Sequence, residues 1–325
     1  MKLIKQSFEI LEQNDFTLVG IKKLIERCGR VSHKSEDRIT EDSAKTFVER
    51  MMKMKHLSTC EFGTVYLYYK VDEPSTMVKE IIDFYKNNQY SKVKCIKHYS
   101  NTYSECGMSR LYDIEYSEYF ITTNLRVCLE NNRQEYLTKA LCEPTEYHEK
   151  RYTVKFLCDR GILAEFTRHR KFSFMAESTR YCNYSKDKFG NELTFIKPCW
   201  VDENNLPKGI NHTKDDWGSL FCEFYYEATE EGKNDGLIVS PERNFIFSLQ
   251  TSEQLYFSLL KNGWKPEQAR NILPLCLKTE LYMCGFAEDW EKFFELRTAS
   301  NAHPQARELA IPLKEEFIKK GYITE

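Results

Sequence analysis

The chain has 325 residues, and its content of 41% hydrophobic and 14% aromatic residues provides for a substantial core and argues against global disorder. The 47 basic and 49 acidic residues nearly cancel, so the composition is not that of a general polyanion binder and any basic site must be local. No stretch approaches the roughly 18 uninterrupted apolar residues of a membrane span. We therefore expect a cytoplasmic protein with no signal peptide and no membrane contact.

Three segments in the first half of the chain have a clear pattern. Residues Ser43–Met52 predict a helix, and Gly63–Tyr69, rich in β-branched and aromatic residues, predicts a strand. A further helix is predicted from Asn124 toward Leu141. Residues 72–120 are polar and rich in tyrosine, and their pattern favours neither structure.

The second half begins with a strand and a helix that lead to a basic triplet. Tyr152–Leu157 alternates as a strand does, and Asp159-Arg160-Gly161 then turns the chain into a helix that begins near Ile162. We expect Arg168–Arg170 to occupy consecutive positions at the end of this helix. A loop-rich stretch from 183 to about 235 follows, and then predicted helices at 252–262, ended by Gly263, at 266–277 and at 286–296.

Twelve cysteines are scattered along the chain, and no two of them form a CxxC pair. Zinc sites and redox dithiols usually place their cysteines close together in sequence. Scattered cysteines in a cytoplasmic chain are typical of reduced core residues. The sequence therefore predicts no metal site, and Cys199 is interpreted as structural.

The triplet opens the segment RHRKFSFMAESTRY, residues 168–181. Successive helical side chains diverge by about 100°, so the triplet would contact different parts of one large ligand or of two adjacent ligands. Arginine binds phosphate through paired hydrogen bonds, and arginine and histidine both stack on flat rings. This favours a nucleotide, although a solvated basic face or structural salt bridges would also explain the triplet. The sequence has no GxGxxG turn and no P-loop, so side chains would have to hold the nucleotide.

Arg-His-Arg followed by seven residues and Ser178 resembles the signature of the flavin-dependent thymidylate synthases, the ThyX family. Further segments resemble elements of the same family in the same order along the chain: Gly29–Ser32, His56–Glu61, Ala269–Pro274, Phe293–Arg297 and His303–Gln305.

The resemblance implies an α/β (α+β) fold with a central, mostly antiparallel sheet packed with helices. It implies one domain over residues 1–325, with extensions at about 72–120 and 190–245. It also implies a homotetramer whose active sites are shared between subunits and which binds no nucleic acid. The implied reaction is the reductive methylation of dUMP to dTMP with FAD as cofactor, methylenetetrahydrofolate as methylene donor and NADPH as electron donor.

The resemblance also assigns site residues. Arg297 would be catalytic, because a fixed guanidinium stabilises negative charge on the uracil but cannot act as a general base. Contacts to dUMP are expected from Glu165, Arg168, Ala176, Glu177, Ser178, Thr179, Arg180, Arg270 and Arg297. Contacts to FAD are expected from His56, Ser58, Arg168, His169, Arg170, Phe286 and Lys292.

Several residues depart from the family pattern. Ala176 stands where many members have Glu or Gln, Phe62 replaces a His, and Phe286 and Lys292 replace two asparagines. These departures motivate one alternative, a catalytically inactive homologue that binds no flavin. A second alternative is a module that binds single-stranded nucleic acid through the Tyr-rich residues 99–119 and the basic triplet.

Overall fold

The computed structural model describes residues 1–71, 76–103, 110–131, 134–202, 204 and 241–324. Helices and antiparallel sheets are mixed along the chain, which confirms the predicted α+β class at this level. In the described part of the chain, no helix is both long and apolar enough to cross a membrane.

The helices are α1 (Leu18–Gly29), α2 (Ser43–Lys53), α3 (Thr76–Asn87), α4 (Leu125–Glu130), α5 (Gln134–Ala140), α6 (Arg160–Phe166), α7 (Pro241–Lys261), α8 (Pro266–Ala269), α9 (Ala287–Arg297) and α10 (Pro304–Lys319). The strands are β1 (Lys2–Ile4), β2 (Ser7–Leu11), β3 (Thr64–Val71), β4 (Lys92–Tyr103), β5 (Arg110–Asn124), β6 (Arg151–Asp159), β7 (Ser173–Ala176), β8 (Thr194–Ile196) and β9 (Lys278–Phe286). Short 3-10 helices lie at Arg30–His33, Glu36–Arg38, Leu57–Phe62, Asp187–Phe189 and Arg270–Ile272.

A four-stranded antiparallel sheet in the order β2-β6-β9-β7 forms the centre of the fold. Strand β9 is buried on both faces. Leu281 and Met283 pack into the core made with α6, α9 and α10, whereas Tyr282 and Cys284 pack against α1 and Phe62. The central sheet therefore fixes α9 on one side and the 3-10 helix Leu57–Phe62 on the other.

A second antiparallel sheet has the order β3-β5-β4, and β5 pairs with both neighbours. Leu67, Val93 and Ile121 lie in register across it and belong to one core with α1 and α2. Much of the predicted extension at 72–120 is therefore this sheet together with α3. The third sheet is the parallel pair β1-β8, whose core includes α7.

Most of the predicted elements are confirmed, with three corrections. The helix predicted from Asn124 toward Leu141 is two helices, because Asn131 ends α4 and its side chain donates back to Val127 O at 2.8 Å. The helix predicted at 266–277 is shorter: α8 ends at Ala269 and the 3-10 helix that follows ends at Ile272, because Pro274 favours an extended conformation at Leu273. The helix predicted at 252–262 begins earlier, at Pro241.

The loop-rich stretch predicted from 183 to about 235 is described only as far as residue 202 and at residue 204. The cysteines of the described part of the chain are all free, and most are buried or partly buried; Cys95 and Cys199 are exposed. No cluster of three potential metal ligands occurs among the described residues.

Candidate functional site

The basic triplet lies in a turn rather than on a helix. Asp159 caps the start of α6 by accepting from Ile162 N at 2.7 Å, but the helix ends at Phe166. The hydroxyl of Thr167 donates to Leu163 O at 3.0 Å, a local bond that competes with helix continuation. The predicted helical placement of Arg168–Arg170 is therefore wrong.

Arg297, at the end of α9, is held by the last turn of α6 and by His169 through all three nitrogen atoms of its guanidinium. Its Nη1 donates to Glu165 Oε2 at 2.8 Å, and its Nη2 donates to Glu165 O at 2.7 Å. Its Nε donates to His169 Nε2 at 2.9 Å. The structure thus brings together three residues that the resemblance assigned to the site, and it fixes the plane of the guanidinium.

His169 is neutral at neutral pH. Burial, and then the adjacent charge of Arg297, lower the pKa of His169 to about 4. The ring packs edge-on against Phe293, with centroids 5.0 Å apart. Because its Nε2 accepts from Arg297, the neutral ring carries its proton on Nδ1.

Arg168 and Arg170 flank His169 and are exposed. Among the residues that the structure describes, neither guanidinium has a carboxylate partner, whereas Arg297 pairs with Glu165. Their hydrogen-bond donors therefore face solvent, where an anionic ligand can reach them.

A second group of predicted residues lies in the loop that follows β7. Ser178 N donates to Ser32 O at 3.2 Å, and Arg180 N donates to Ser178 Oγ at 3.3 Å. Arg270 reaches the same loop, because its Nη1 donates to Thr179 Oγ1 at 3.3 Å. These contacts bring the Arg270 guanidinium to the Thr179 hydroxyl, and the backbone N of Arg180 to the Ser178 hydroxyl.

Glu177 holds this loop in place through hydrogen bonds of its side chain and its backbone. It is 3% exposed, and it accepts from Lys278 Nζ at 2.8 Å and from Tyr184 OH at 2.9 Å. Its backbone N–H donates to Glu280 O at 2.9 Å. Sequence reasoning missed Lys278 and Tyr184, because neither stands in a motif.

Glu280 lies beside Glu177 and Lys278, and three lysines approach its carboxylate. Lys34 and Lys155 approach its carboxylate at 2.7 and 3.0 Å, and Lys278 approaches it at 3.3 Å. Burial opposes ionisation, but the three lysines outweigh it and lower the pKa of Glu280 to about 2. The Glu280 carboxylate is therefore ionised, and its charge is neutralised within this cluster.

The two groups lie at opposite ends of β7. The turn with Arg168 and His169 precedes the strand, and the loop with Ser178 and Arg180 follows it. A four-residue strand is about 13 Å long at the usual rise per residue. Arg297 contacts the first group and Arg270 the second, so the five predicted arginines do not meet at one point within a single chain.

The remaining predicted residues differ in accessibility. His56 and Ser58 are exposed at the start of the 3-10 helix Leu57–Phe62, which lies against β7. Ala176 ends β7 opposite Leu281. Phe286 is buried beneath Lys92 and Arg151, whereas Lys292 is exposed on α9.

Comparison with known proteins identifies related sequences. The profile of the family described as thymidylate synthase complementing protein matches residues 117–320, more than half of the chain. A probable flavin-dependent thymidylate synthase of Paramecium bursaria Chlorella virus 1 is 30% identical over 52% of this chain and 66% of its own length. The flavin-dependent thymidylate synthase of Synechocystis sp. is 28% identical over 51% of this chain and 66% of its own length. The chain thus covers just under two thirds of these two relatives. The Aquifex aeolicus flavin-dependent thymidylate synthase is 23% identical over 94% of this chain and 96% of its own.

Solved structures give weaker similarities. A UMP/dUMP methylase, PolB from Streptomyces cacaoi bound with 5-Br UMP, matches with a TM-score of 0.39 and 14% identity over 98% of this chain and 92% of that chain. Thymidylate synthase X from Helicobacter pylori with FAD and dUMP matches with a TM-score of 0.32 and 20% identity. The match covers 51% of this chain and 66% of that chain. Both TM-scores are too low to support a conclusion.

Proposed function

The chain belongs to the family of thymidylate synthase complementing proteins, and from this premise we propose that it is an FAD-dependent thymidylate synthase. The reaction is the methylation of dUMP at uracil C5 to give dTMP, with methylenetetrahydrofolate as methylene donor and NADPH as electron donor. The observation that carries the proposal is the Arg297 guanidinium, fixed by Glu165 and His169 beside two arginines that have no acidic partner among the described residues.

The residues around the turn fit FAD chemically. Arg168 and Arg170 present exposed donors suited to phosphate, and His169 presents a neutral ring with a donor on Nδ1. His56 and Ser58 add exposed polar groups next to β7. The buried ring of Phe286 offers only apolar contact, and Lys292 offers a further positive charge. When bound, FAD supplies the redox chemistry of the reaction.

Arg297 acts on the uracil electrostatically. Three of its five N–H groups are used by Glu165 and His169, so two remain for the substrate. A guanidinium that is already oriented stabilises a negative charge on the uracil ring without rearranging during the reaction. Glu165 serves as the group that orients it.

Ser178, Thr179, Arg180 and Arg270 bind the phosphate of dUMP. The Ser178 hydroxyl accepts from Arg180 N and, in the described residues, contacts no base that would activate it as a nucleophile. Ala176 contributes its backbone, and Glu177 holds the loop in place through Lys278 and Tyr184.

A homotetramer with shared sites accounts for the separation of the two groups along β7. A nucleotide whose phosphate binds near Ser178 and whose base reaches an Arg297 of another copy would complete the site between subunits. We place this assembly in the cytoplasm, with no role in membrane or nucleic-acid binding.

Removal of Arg297 tests the role of its charge. We expect Arg297→Gln to reduce dUMP-dependent reoxidation of the reduced flavin by about 100-fold or more, as for the loss of an oriented electrostatic group. The measurement is stopped-flow absorbance of the flavin at matched FAD occupancy. Lys319→Gln, at an exposed position of α10, is the matched control. Unchanged reoxidation in Arg297→Gln would refute this role.

The same preparation separates the two alternatives. An inactive homologue that binds no flavin predicts a colourless protein that also does not take up added FAD. A single-strand binding module predicts tight oligonucleotide binding that weakens steeply with salt. That alternative relies on Tyr-rich residues 99–119, several of which lie outside the described residues.

A further inference from the structure

A cavity of about 530 Å³ lies between the basic turn and the segment that leads into β4. Lys86, at the end of α3, and Lys92, at the start of β4, line one side. Arg170 and Lys171 line the other. The first side lies outside residues 117–320, the part of the chain matched by the family profile.

The lining of the cavity has one sign of charge. It includes four basic side chains and, within the described part of the chain, no acidic one. Lys92 pairs with Glu288 at 2.6 Å, and Lys171 lies 4.0 Å from Asp289. Lys86 lies 3.9 Å from Asp83 of α3. None of these three carboxylates lines the cavity, so the charged side chains of its described lining are all basic.

The segment between the two lysines is ordered by its own hydrogen bonds. Asn88 Oδ1 accepts from Tyr90 N at 2.9 Å and from Ser91 Oγ at 3.3 Å. Ser91 Oγ also lies 2.8 Å from Thr123 Oγ1 on β5. A wall fixed in this way loses little conformational entropy when a ligand binds.

Size and charge together indicate the class of ligand. A volume near 500 Å³ is typical of sites for nucleotide-sized molecules and far larger than one phosphate needs. Arg170 offers a planar fork of donors and the lysines offer point charges, a combination suited to adjacent phosphate groups. We propose that Lys86, Lys92, Arg170 and Lys171 bind the diphosphate of a dinucleotide in this cavity.

Two dinucleotides of the proposed reaction, FAD and NADPH, carry such a diphosphate. The identity of the ligand therefore rests on the proposed function, whereas diphosphate binding by the four cations does not. The segment 86–93 would then be an addition of this chain to the nucleotide site of its family.

Calorimetric titration of the nucleotide-free full-length protein with inorganic pyrophosphate tests the proposal. We expect Lys86→Gln to weaken pyrophosphate binding about fivefold to tenfold, as for the loss of one charge-assisted contact. Lys86→Arg should keep the affinity, because it keeps the charge. Lys319→Gln is the control for a lysine far from the cavity in sequence, and urea midpoints establish that each variant is folded.

Competition identifies the dinucleotide. Displacement of pyrophosphate by FAD assigns the cavity to the cofactor, and displacement by NADPH assigns it to the electron donor. Equal affinity in the wild type and Lys86→Gln, or failure of both dinucleotides to displace pyrophosphate, overturns the proposal. If dUMP methylation is absent but FAD or NADPH displaces pyrophosphate and Lys86→Gln weakens its binding, the proposed function fails while the cavity assignment stands.

Discussion

Two clusters of basic side chains lie at the two ends of β7 and differ in how their charge is balanced. The lysine–glutamate cluster, made of Lys34, Lys155 and Lys278 with Glu177 and Glu280, is largely buried and paired. In the arginine turn, residues 168–171, the three cations Arg168, Arg170 and Lys171 are exposed, and Arg168 and Arg170 have no acidic partner within the described residues. The comparison separates positive charge that stabilises the fold from positive charge available to a ligand.

Burial explains the difference. A charge removed from water is stable only with an opposite charge and hydrogen bonds close by, so the lysines next to Glu177 are committed to it and to Glu280. An exposed guanidinium remains hydrated and contributes little to stability until an anion replaces its water. The first cluster should therefore respond to mutation in folding, and the second in binding.

Removal of Lys278 should have the largest effect on stability. Lys278→Met leaves Glu177, 3% exposed, with Tyr184 but without a cation, and breaking a buried pair from one side costs about 3 kcal/mol. The free energy of unfolding from urea titration measures this loss.

Two variants check the assignment to Glu177. Lys155→Met should cost less than Lys278→Met, because Glu280 keeps two lysines. Lys278→Met combined with Glu177→Gln should recover part of the loss, because the buried charge is gone while Tyr184 keeps an acceptor. An equal loss in both single variants would show that Glu177 does not depend on Lys278.

The pH dependence of stability should distinguish the two ends of β7. The pKa of His169 is about 4 in the folded chain and about 6.5 when unfolded, so the unfolded chain takes up a proton first as the pH falls. His169 therefore contributes its full stability above pH 6.5, and this contribution is lost between about pH 6.5 and 4. The lowered pKa of Glu280 also gives stability that is lost as the pH falls, but at lower pH, between about pH 4.3 and 2.

His169→Gln isolates the first window. The amide oxygen can still accept from Arg297 but does not titrate. The wild type should lose about 1–2 kcal/mol more than this variant between pH 6.5 and 4, after allowance for solvent screening. Burial also lowers the pKa of His33 and His148, so the difference between the two unfolding curves is the quantity to measure. Parallel curves would contradict the assignment.

The sequence predicts those parts of the fold that have a local signal. Strands β3 and β6 are rich in β-branched and aromatic residues, and α2 has a helical pattern, so all three are predicted close to their observed bounds. Strand β9 has no such signal. Because both of its faces are buried, its sequence does not alternate, and the strand was not predicted.

In the candidate site, too, the sequence predicts residues that stand in a motif and does not predict contacts between distant segments. The resemblance assigns Arg297, Glu165 and His169 to one site, and the structure places them in contact. At the end of α6, before Arg168, the hydroxyl of Thr167 donates to Leu163 O and Ala164 O, local contacts that the sequence pattern does not indicate. The Glu177–Lys278 pair joins residues 101 positions apart, and only the antiparallel pairing of β7 with β9 brings them together.

The smallest effect on stability is expected at Arg168. Because this guanidinium is exposed and has no acidic partner in the described part of the chain, Arg168→Gln should change the free energy of unfolding by less than about 0.5 kcal/mol. Under the proposed function the same variant should weaken FAD binding about tenfold or more, because a charge-assisted phosphate contact is lost. Urea unfolding and fluorescence titration with FAD measure the two quantities on one preparation. A large loss of stability with normal FAD affinity would place Arg168 with the structural charges and remove the contrast between the two ends of β7.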